Sequence, residues 1–269
     1  MNGENCMTEG IMKKKKIAVF ANGWSSEYLE LVLEGMRRAA QKDNVDIFVF
    51  STYISWGETD IQSKCQLNIF HLPKPEDYDG AIVLTNTFNL SDEQQRVCAL
   101  FKDKGIPLVS TEVKIPGMAF VGTDNYAGMH ELAEHLVQQH NARRFVYVSG
   151  IEGNEECAIR RKALMDVIEK YDCELVDEYA GDFGFYKAYT CTKEWIDNGN
   201  VLPDAFVCAN DHMSLGVVNA VFDSGYSIPQ DTLVTGFDLI HEARVSYPIM
   251  APVSRRWDRM GEMAYEELK

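Results

Sequence analysis

Three polar residues in the second half of the sequence stand where a ligand could be held. Asp238 ends the apolar segment VTGFD, Asn210 follows the apolar run AFVCA, and Arg160 lies in the first turn of a helical pattern. A carboxylate can accept hydrogen bonds from two neighbouring hydroxyls, an amide both donates and accepts, and a guanidinium offers paired donors. These residue types could contact a small polar ligand.

Each of these positions also has a purely structural interpretation. Asp238 could be a helix cap or a turn residue, and Arg160 could form a surface ion pair with Glu155 or Glu156. Asp211 is the expected N-cap of the helix that follows it. The residue types alone leave these alternatives open.

Further candidates occupy loops that follow other predicted strands. Trp24 could give an apolar platform for the face of a sugar, or it could form a surface or dimer contact. Asp124 could face a ligand or cap the helix after it. The candidates of this group are Asn22, Trp24, Asn86, Phe88 and Asp124.

The motifs of common enzyme classes are missing from the sequence. It has no G-x-S-x-G elbow, no Walker loop and no glycine-rich dinucleotide fingerprint. His130 and His135 are five residues apart, so they do not form the H-E-x-x-H zinc motif. Glu112, Asp182 and Asp238 could in principle supply an acid pair, and an enzyme stays as an alternative class. We expect no catalytic residue, no metal and no cofactor.

Composition limits the partners and the compartment. The 269 residues carry a net charge of -15, which argues against binding of nucleic acid by this segment. The seven cysteines include no C-x-x-C pair, as expected for reduced thiols in a cytoplasm. The sequence offers no signal peptide and no stretch of 18 uncharged apolar residues, so a cytoplasmic chain without membrane contact is predicted.

Strand-like runs alternate with helical patterns along most of the chain. This alternation predicts an α/β fold with two doubly wound parallel-sheet lobes, and the break falls near residues 120–124. Ligands of such sheets bind beyond the carboxyl ends of the strands, which places the cleft between the lobes at these loops. The predicted strands are 17–21, 46–52, 80–84, 108–111, 145–149, 174–179, 205–208 and 233–236, and the predicted helices are 25–41, 126–139, 158–171, 187–198 and 212–224, with another that opens at Ser91.

Four stretches of the sequence resemble the LacI/GalR family of bacterial regulators. They are FVGTDNYAGMHELAEHLVQQHNARRFVYVSG, IRRKALMDVIEKY, PDAFVCANDHMSLGVVNAVFDSGYSIPQDTLVTGFD and APVSRRWDRMGEMAYEEL. In the second stretch the family has Arg-x-x-Gly-Phe, where this chain has Arg160-x-x-Ala163-Leu164. The resemblance runs from about Lys14 to the last residue, and it is most specific over 203–238.

The resemblance implies a type I periplasmic-binding-protein-like fold with a hinge. The N-terminal lobe would comprise 13–122 and 251–269, the C-terminal lobe 123–250, and residues 1–12 a disordered lead-in. It also implies that Asp238, Asn210 and Arg160 contact the ligand. An aromatic residue would stack on the ligand, and Phe183 and Phe185 both fit that position.

Two departures from the family bear on function. No helix-turn-helix precedes Lys13, and the chain stops within a helical pattern, so an output module is expected elsewhere in the protein. The combination resembles the N-terminal sensors of some GGDEF diguanylate cyclases. We therefore expect a homodimeric, cytoplasmic sensor of a sugar-like ligand, in which ligand-driven lobe closure controls the output. A solute-binding protein of a transport system is the alternative.

Overall fold

The computed structural model describes residues 14–23, 26–54, 61–88, 91–246 and 252–269 and shows two compact units. Unit 1 runs to Thr123 and resumes over Arg256–Lys269, and unit 2 is Asp124–Arg255. The predicted boundaries, after residues 122 and 250, precede these changeovers by one and five residues. The disorder predicted for residues 1–12 falls outside the described residues. No helix in the described ranges is long and apolar enough to cross a membrane.

Unit 1 is built on a five-stranded parallel sheet in the order β2-β1-β3-β4-β5. The inner strands β1, β3 and β4 are buried almost throughout, as expected when helices cover both faces of a parallel sheet. The strands are β1 (Lys16–Ala21), β2 (Asp46–Ser51), β3 (Gly80–Val83), β4 (Leu108–Thr111) and β5 (Ala119–Val121), and the α-helices are α1 (Glu27–Lys42), α2 (Ile61–Gln66), α3 (Ser91–Lys102) and α9 (Trp257–Glu266).

The last helix, α9, packs closely against α1 and so ties the C-terminal segment to unit 1. A Cβ atom on Gly35 of α1 would lie 1.9 Å from the carbonyl oxygen of Asp258. A Cβ atom on Gly261 of α9 would lie 2.0 Å from the carbonyl oxygen of Val32. Since real side chains do not approach backbone atoms so closely, both glycines are needed for the two helices to come together.

Unit 2 holds a four-stranded parallel sheet in the order β7-β6-β8-β9 and a separate parallel pair, β10 with β11. The predicted α/β class with parallel sheets is confirmed. The strands are β6 (Arg144–Ser149), β7 (Glu174–Ala180), β8 (Ala205–Cys208), β9 (Leu233–Thr235), β10 (Phe237–Asp238) and β11 (Val253–Ser254), and the helices are α4 (Asn125–His140), α5 (Glu155–Lys170), α6 (Phe185–Asp197), α7 (Asp211–Asp223) and α8 (His241–Val245).

Candidate ligand-binding site

Arg160 is a buried residue of α5 in unit 2. Its side chain is 1% exposed and lies 3.6 Å from Glu156 Oε2, so the ion pair with Glu156 considered as an alternative is present but buried rather than on the surface. Its Nε donates to Asn125 Oδ1 at 2.8 Å and its Nη1 donates to the carbonyl oxygen of Ala209 at 2.6 Å. The guanidinium lies over the ring of Phe237, 4.0 Å from the centroid. These contacts fix the guanidinium at the carboxyl ends of β8 and β9.

The third nitrogen of the Arg160 guanidinium is Nη2. Nη2 is buried and makes no hydrogen bond within the described part of the chain. Its acidic neighbour is Glu156, whose Oε2 lies 3.6 Å away, too far for a hydrogen bond. A buried donor without an acceptor costs about 1–3 kcal/mol, and a ligand hydroxyl or carboxylate would remove that cost. Arg160 Nη2 is therefore a donor available to a ligand.

Asp238 ends the short strand β10 in a strained backbone conformation. Its φ is 121°, and Leu239 follows with a φ of 63°, both in the region that favours glycine. The side chain is 14% exposed, and Oδ1 accepts a hydrogen bond from Arg255 Nη1 at 3.3 Å. Burial raises the pKa of Asp238, while the positive charges of Arg255 and Arg160 act in the opposite direction. The helix-cap alternative is wrong, because Ile240 is the residue that precedes α8.

Asn210 is the N-cap of α7, a role that the sequence assigned to Asp211. Its Oδ1 accepts a hydrogen bond from the backbone N–H of Met213 at 2.9 Å. Its Nδ2 donates to the carbonyl oxygen of Phe183 at 3.2 Å. Asn210 therefore joins the start of α7 to the loop that precedes α6.

Asp211 is instead the first residue of α7 and is 1% exposed. Its Oδ2 accepts a hydrogen bond from the backbone N–H of Ile240 at 2.9 Å. Its Oδ1 lies so close to Gly236 that a Cβ atom there would be 2.1 Å away. Burial, with a smaller contribution from the nearby charge of Asp238, raises the pKa of Asp211 to about 7. Asp211 thus places a second buried carboxyl beside Asp238.

The two phenylalanines of AGDFGF occupy different surroundings. Phe183 has a φ of 59° and follows Asp182 at 51°. A Cβ atom on Gly150 would lie 2.5 Å from the Phe183 ring, so the glycine makes room for it. Phe185 begins α6, where its ring stacks on Tyr189 with the centroids 6.5 Å apart.

Shared partners bring four predicted residues into one region of unit 2. Asn210 is bonded to Phe183 and directly follows Ala209, the residue that accepts from Arg160. Asp238 directly follows the ring beneath the Arg160 guanidinium. Asp124 has a different role: its Oδ1 accepts from the backbone N–H of Ala127 at 2.9 Å, which makes it the N-cap of α4.

The candidates of unit 1 are neutral and already bonded. Asn22 follows β1 and is 7% exposed, and its Oδ1 accepts from Thr52 Oγ1 at 2.9 Å. Asn86 follows β3, and its Oδ1 accepts from the Tyr28 hydroxyl at 2.8 Å. These two asparagines lie at the carboxyl ends of adjacent strands.

The two aromatic candidates of unit 1 are Phe88 and Trp24. Phe88 is 9% exposed and belongs to the hydrophobic core, with its ring 5.2 Å from that of Phe70. Phe88, predicted as a ligand-binding residue in a loop after a strand, is therefore a core residue. Trp24 lies outside the described residues.

Comparison with known protein families decides the classification. Residues 17–246 match the model of the periplasmic binding protein domain. The chain belongs to this family. Among curated relatives of this periplasmic binding protein domain, a probable HTH-type transcriptional repressor, ExuR of Bacillus subtilis (strain 168), is 22% identical over 98% of the chain and 76% of its own length.

Solved structures show the same fold. The lac repressor dimer bound to operator and the anti-inducer ONPF superposes with a TM-score of 0.78 at 17% identity, over 96% of this chain and 86% of that chain. An ABC transporter periplasmic solute binding protein from Actinobacillus succinogenes 130z with bound D-allose gives 0.77 at 21% identity, over 95% and 90%. At these identities the likeness establishes the fold of this periplasmic binding protein domain.

Two charged residues of this periplasmic binding protein domain were missed as site residues. The sequence predicts Glu156 only as a surface partner of Arg160, and it gives no indication that Arg255 belongs to the site. Their side chains are 17% and 6% exposed, and Arg255 Nη2 donates to Glu156 Oε1 at 2.6 Å. Charged residues in a helix or after a short strand are usually solvated, so the sequence alone gives no signal of their burial.

Proposed function

We propose that this chain is the ligand-sensing domain of a bacterial transcription regulator and that its ligand is a hydroxyl-rich, sugar-like molecule. The ligand would contact Asp238, Arg160 and Asn210 in unit 2, with Phe183 as the stacking ring. Asn22 and Asn86 are the proposed contacts from unit 1.

The observation that carries this proposal is the combination of Arg160 Nη2 and Asp238. Among the residues that the structure describes, this buried guanidinium nitrogen has no hydrogen-bond acceptor, and the largely buried carboxylate has one hydrogen bond, at 3.3 Å; both are costly unless a ligand binds them. The strained backbone at Asp238 and Phe183 is also typical of binding sites.

The named relatives support the class of ligand and the kind of output. D-allose is bound in the A. succinogenes protein, and the lac repressor is a dimer on its operator. The relative from B. subtilis is a probable transcriptional repressor that covers nearly the whole chain. We therefore include a homodimer and a cytoplasmic location in the proposal.

The relatives bear on two predictions from the sequence, the absence of nucleic-acid binding and the kind of output domain. The prediction that this segment binds no nucleic acid is at odds with these repressor relatives if it is extended to the whole protein. A diguanylate cyclase output has no support from the named relatives and is not part of the proposal.

The proposed mechanism is a shift between two arrangements of the units. A ligand that bonds to residues of both units favours the arrangement in which all of these bonds form. A shift from 1:99 to 99:1 needs about 5.5 kcal/mol of differential affinity, which a few charge-assisted hydrogen bonds can supply.

A thermal-shift screen tests the proposal. D-allose, D-glucose, adenosine and L-glutamate are each added to the wild type, and we expect a saccharide to raise the Tm. Asp238→Asn removes the charge that bonds the hydroxyls and should abolish this rise, whereas Asp223→Asn, at the exposed end of α7, should keep it. An unchanged rise in Asp238→Asn would refute the site.

A solute-binding role is the second candidate, favoured by the match to the A. succinogenes protein. Fractionation of cells that express the full-length protein separates the two functions. Recovery outside the cytoplasm would favour transport.

A further inference from the structure

The carboxylate of Glu156 lies between two buried guanidiniums. Oε1 accepts a hydrogen bond from Arg255 Nη2 at 2.6 Å, and Oε2 is 3.6 Å from Arg160 Nη2. The exposed fractions of the three side chains are 17%, 6% and 1% in the order Glu156, Arg255, Arg160. Glu156 is therefore a carboxylate shared by two cations that have little access to water, and Arg255 has Asp238 as a second acidic partner.

The charge of Glu156 is strongly favoured there. Burial acts to raise its pKa, but the positive charges of Arg255 and Arg160 outweigh burial and leave the pKa below its ordinary value. Removal of one partner from a buried ionic cluster leaves the others without compensation, which is costly. Here the loss of Glu156 would affect both guanidiniums at once.

The two guanidiniums lead from Glu156 to the candidate site. Arg255 donates to Asp238, and Arg160 bonds to Asn125 and Ala209 and presents Nη2, which has no hydrogen-bond acceptor in the part of the chain that the structure describes. Glu156 therefore contacts Arg160, which supplies the proposed donor to the ligand. It also contacts Arg255, which bonds to the proposed acceptor, Asp238.

The same contacts reach both places where the chain passes between the units. Asn125 is the second residue of unit 2, and Arg255 is its last residue. Asn125 accepts from Arg160 Nε, and its Nδ2 is 3.5 Å from Glu156 Oε1. Glu156 thus contacts one residue at the entry of unit 2 and one at its exit.

We propose that Glu156 is a positioning residue that fixes Arg160 and Arg255 for ligand binding and, through them, holds the entry segment at Asn125 and the exit segment at Arg255. A ligand that bonds to Arg160 or Asp238 then changes the contacts of these residues with Glu156 and Arg255. Ligand binding therefore alters the contacts that hold both segments. The ligand part of this inference rests on the proposed function, whereas the coupling of the segments does not.

Hydrogen–deuterium exchange of the ligand-free chain tests the coupling. In Glu156→Gln, which keeps the size but loses the charge, we expect peptides covering 125–129 and 253–257 to exchange about tenfold faster than in the wild type. Peptides from β1 and α1 of unit 1 should not change. Glu155→Gln, at the exposed neighbouring position, should match the wild type throughout.

Two outcomes would overturn the inference: unchanged exchange at both segments, or faster exchange spread evenly over both units, which would indicate a general loss of stability. If Glu156→Gln does not fold, Glu156→Asp and Arg255→Met decide. Glu156→Asp keeps the charge and should give a smaller acceleration at both segments, whereas Arg255→Met should accelerate 253–257 alone. Equal effects of these two variants at both segments would contradict the assignment.

The exchange experiment needs no ligand, so its result is independent of the thermal-shift screen. If a saccharide does raise the Tm, Glu156→Gln should weaken that rise while Glu155→Gln keeps it. A full rise in Glu156→Gln would refute the positioning of the ligand residues.

Discussion

Unit 1 and unit 2 both present polar side chains after buried parallel strands, but different chemistry holds them. In unit 2, Arg160 and Asp238 are charged, buried and tied to further charges. In unit 1, Asn22 and Asn86 form neutral hydrogen bonds to hydroxyl groups. The same position in the fold is therefore occupied by an ionic cluster in one unit and by neutral amides in the other.

Under the proposed function, this difference predicts which residues supply most of the ligand's affinity. Charge-assisted hydrogen bonds in a low-dielectric site are about twice as strong as neutral ones, and they are costly when they are incomplete. The charged residues of unit 2 should therefore supply most of the affinity, and the neutral asparagines of unit 1 should supply less. Three predictions test this contrast.

The largest effect is expected for Arg160→Met. The variant loses two short hydrogen bonds and the contact with the Phe237 ring, and it leaves Glu156 with one cation fewer. We expect the unfolding free energy to fall by about 3–5 kcal/mol in urea denaturation. Arg161→Met removes only a half-exposed pair with Glu178 and should cost less than about 1 kcal/mol. Equal costs would show that the buried charged cluster of unit 2 stabilises the fold no more than an exposed ion pair does.

The next effect concerns Asp211 and pH. Its folded-state pKa of about 7 is above the ordinary value of 3.8, so the native state binds more protons than the unfolded state between about pH 4 and 7. The stability from this group is complete below pH 4 and is lost as the pH rises through 7. Asp211→Asn should remove this loss, which is about 4 kcal/mol in full, with about 3 kcal/mol of it between pH 5 and 8. Denaturation of both proteins from pH 5 to 8 measures the difference, and parallel pH profiles would contradict it.

The smallest effect is expected in unit 1. Asn22→Ala leaves the buried hydroxyl of Thr52 without its acceptor and should cost about 1–3 kcal/mol. Asn86→Ala removes one hydrogen-bond acceptor of the half-buried Tyr28 hydroxyl and should cost less. Because both bonds are neutral, neither cost should change between low and high salt in urea denaturation. A clear salt dependence would mean that unit 1 also relies on charge.

The sequence predicts the fold well because buried parallel strands are continuous apolar runs. The run 17–21 corresponds to the strand Lys16–Ala21, and 205–208 to Ala205–Cys208. The ends of helices are harder, because caps depend on local geometry. The helix expected from residue 158 begins at Glu155, since Asn154 accepts from the backbone N–H of Cys157. The pair β10 and β11, of two residues each, has no local signal.

The candidate site is predictable only in part. The resemblance to the LacI/GalR family singles out Asp238, Asn210 and Arg160 as ligand contacts. Glu156 and Arg255 do not, because their burial arises from contacts between segments about a hundred residues apart in the chain. Phe88 is a core residue because packing against Phe70 outweighs its position in a loop.

The central claim is that a hydroxyl-rich ligand binds at Asp238, Arg160 and Asn210. Hydrogen–deuterium exchange of the wild type, with and without the saccharide that raises the Tm, tests it most directly. The account predicts slower exchange in peptides covering 207–214 and 236–241 of unit 2, and weaker protection over 20–23 and 84–88 of unit 1. Protection confined to other parts of the chain would contradict it.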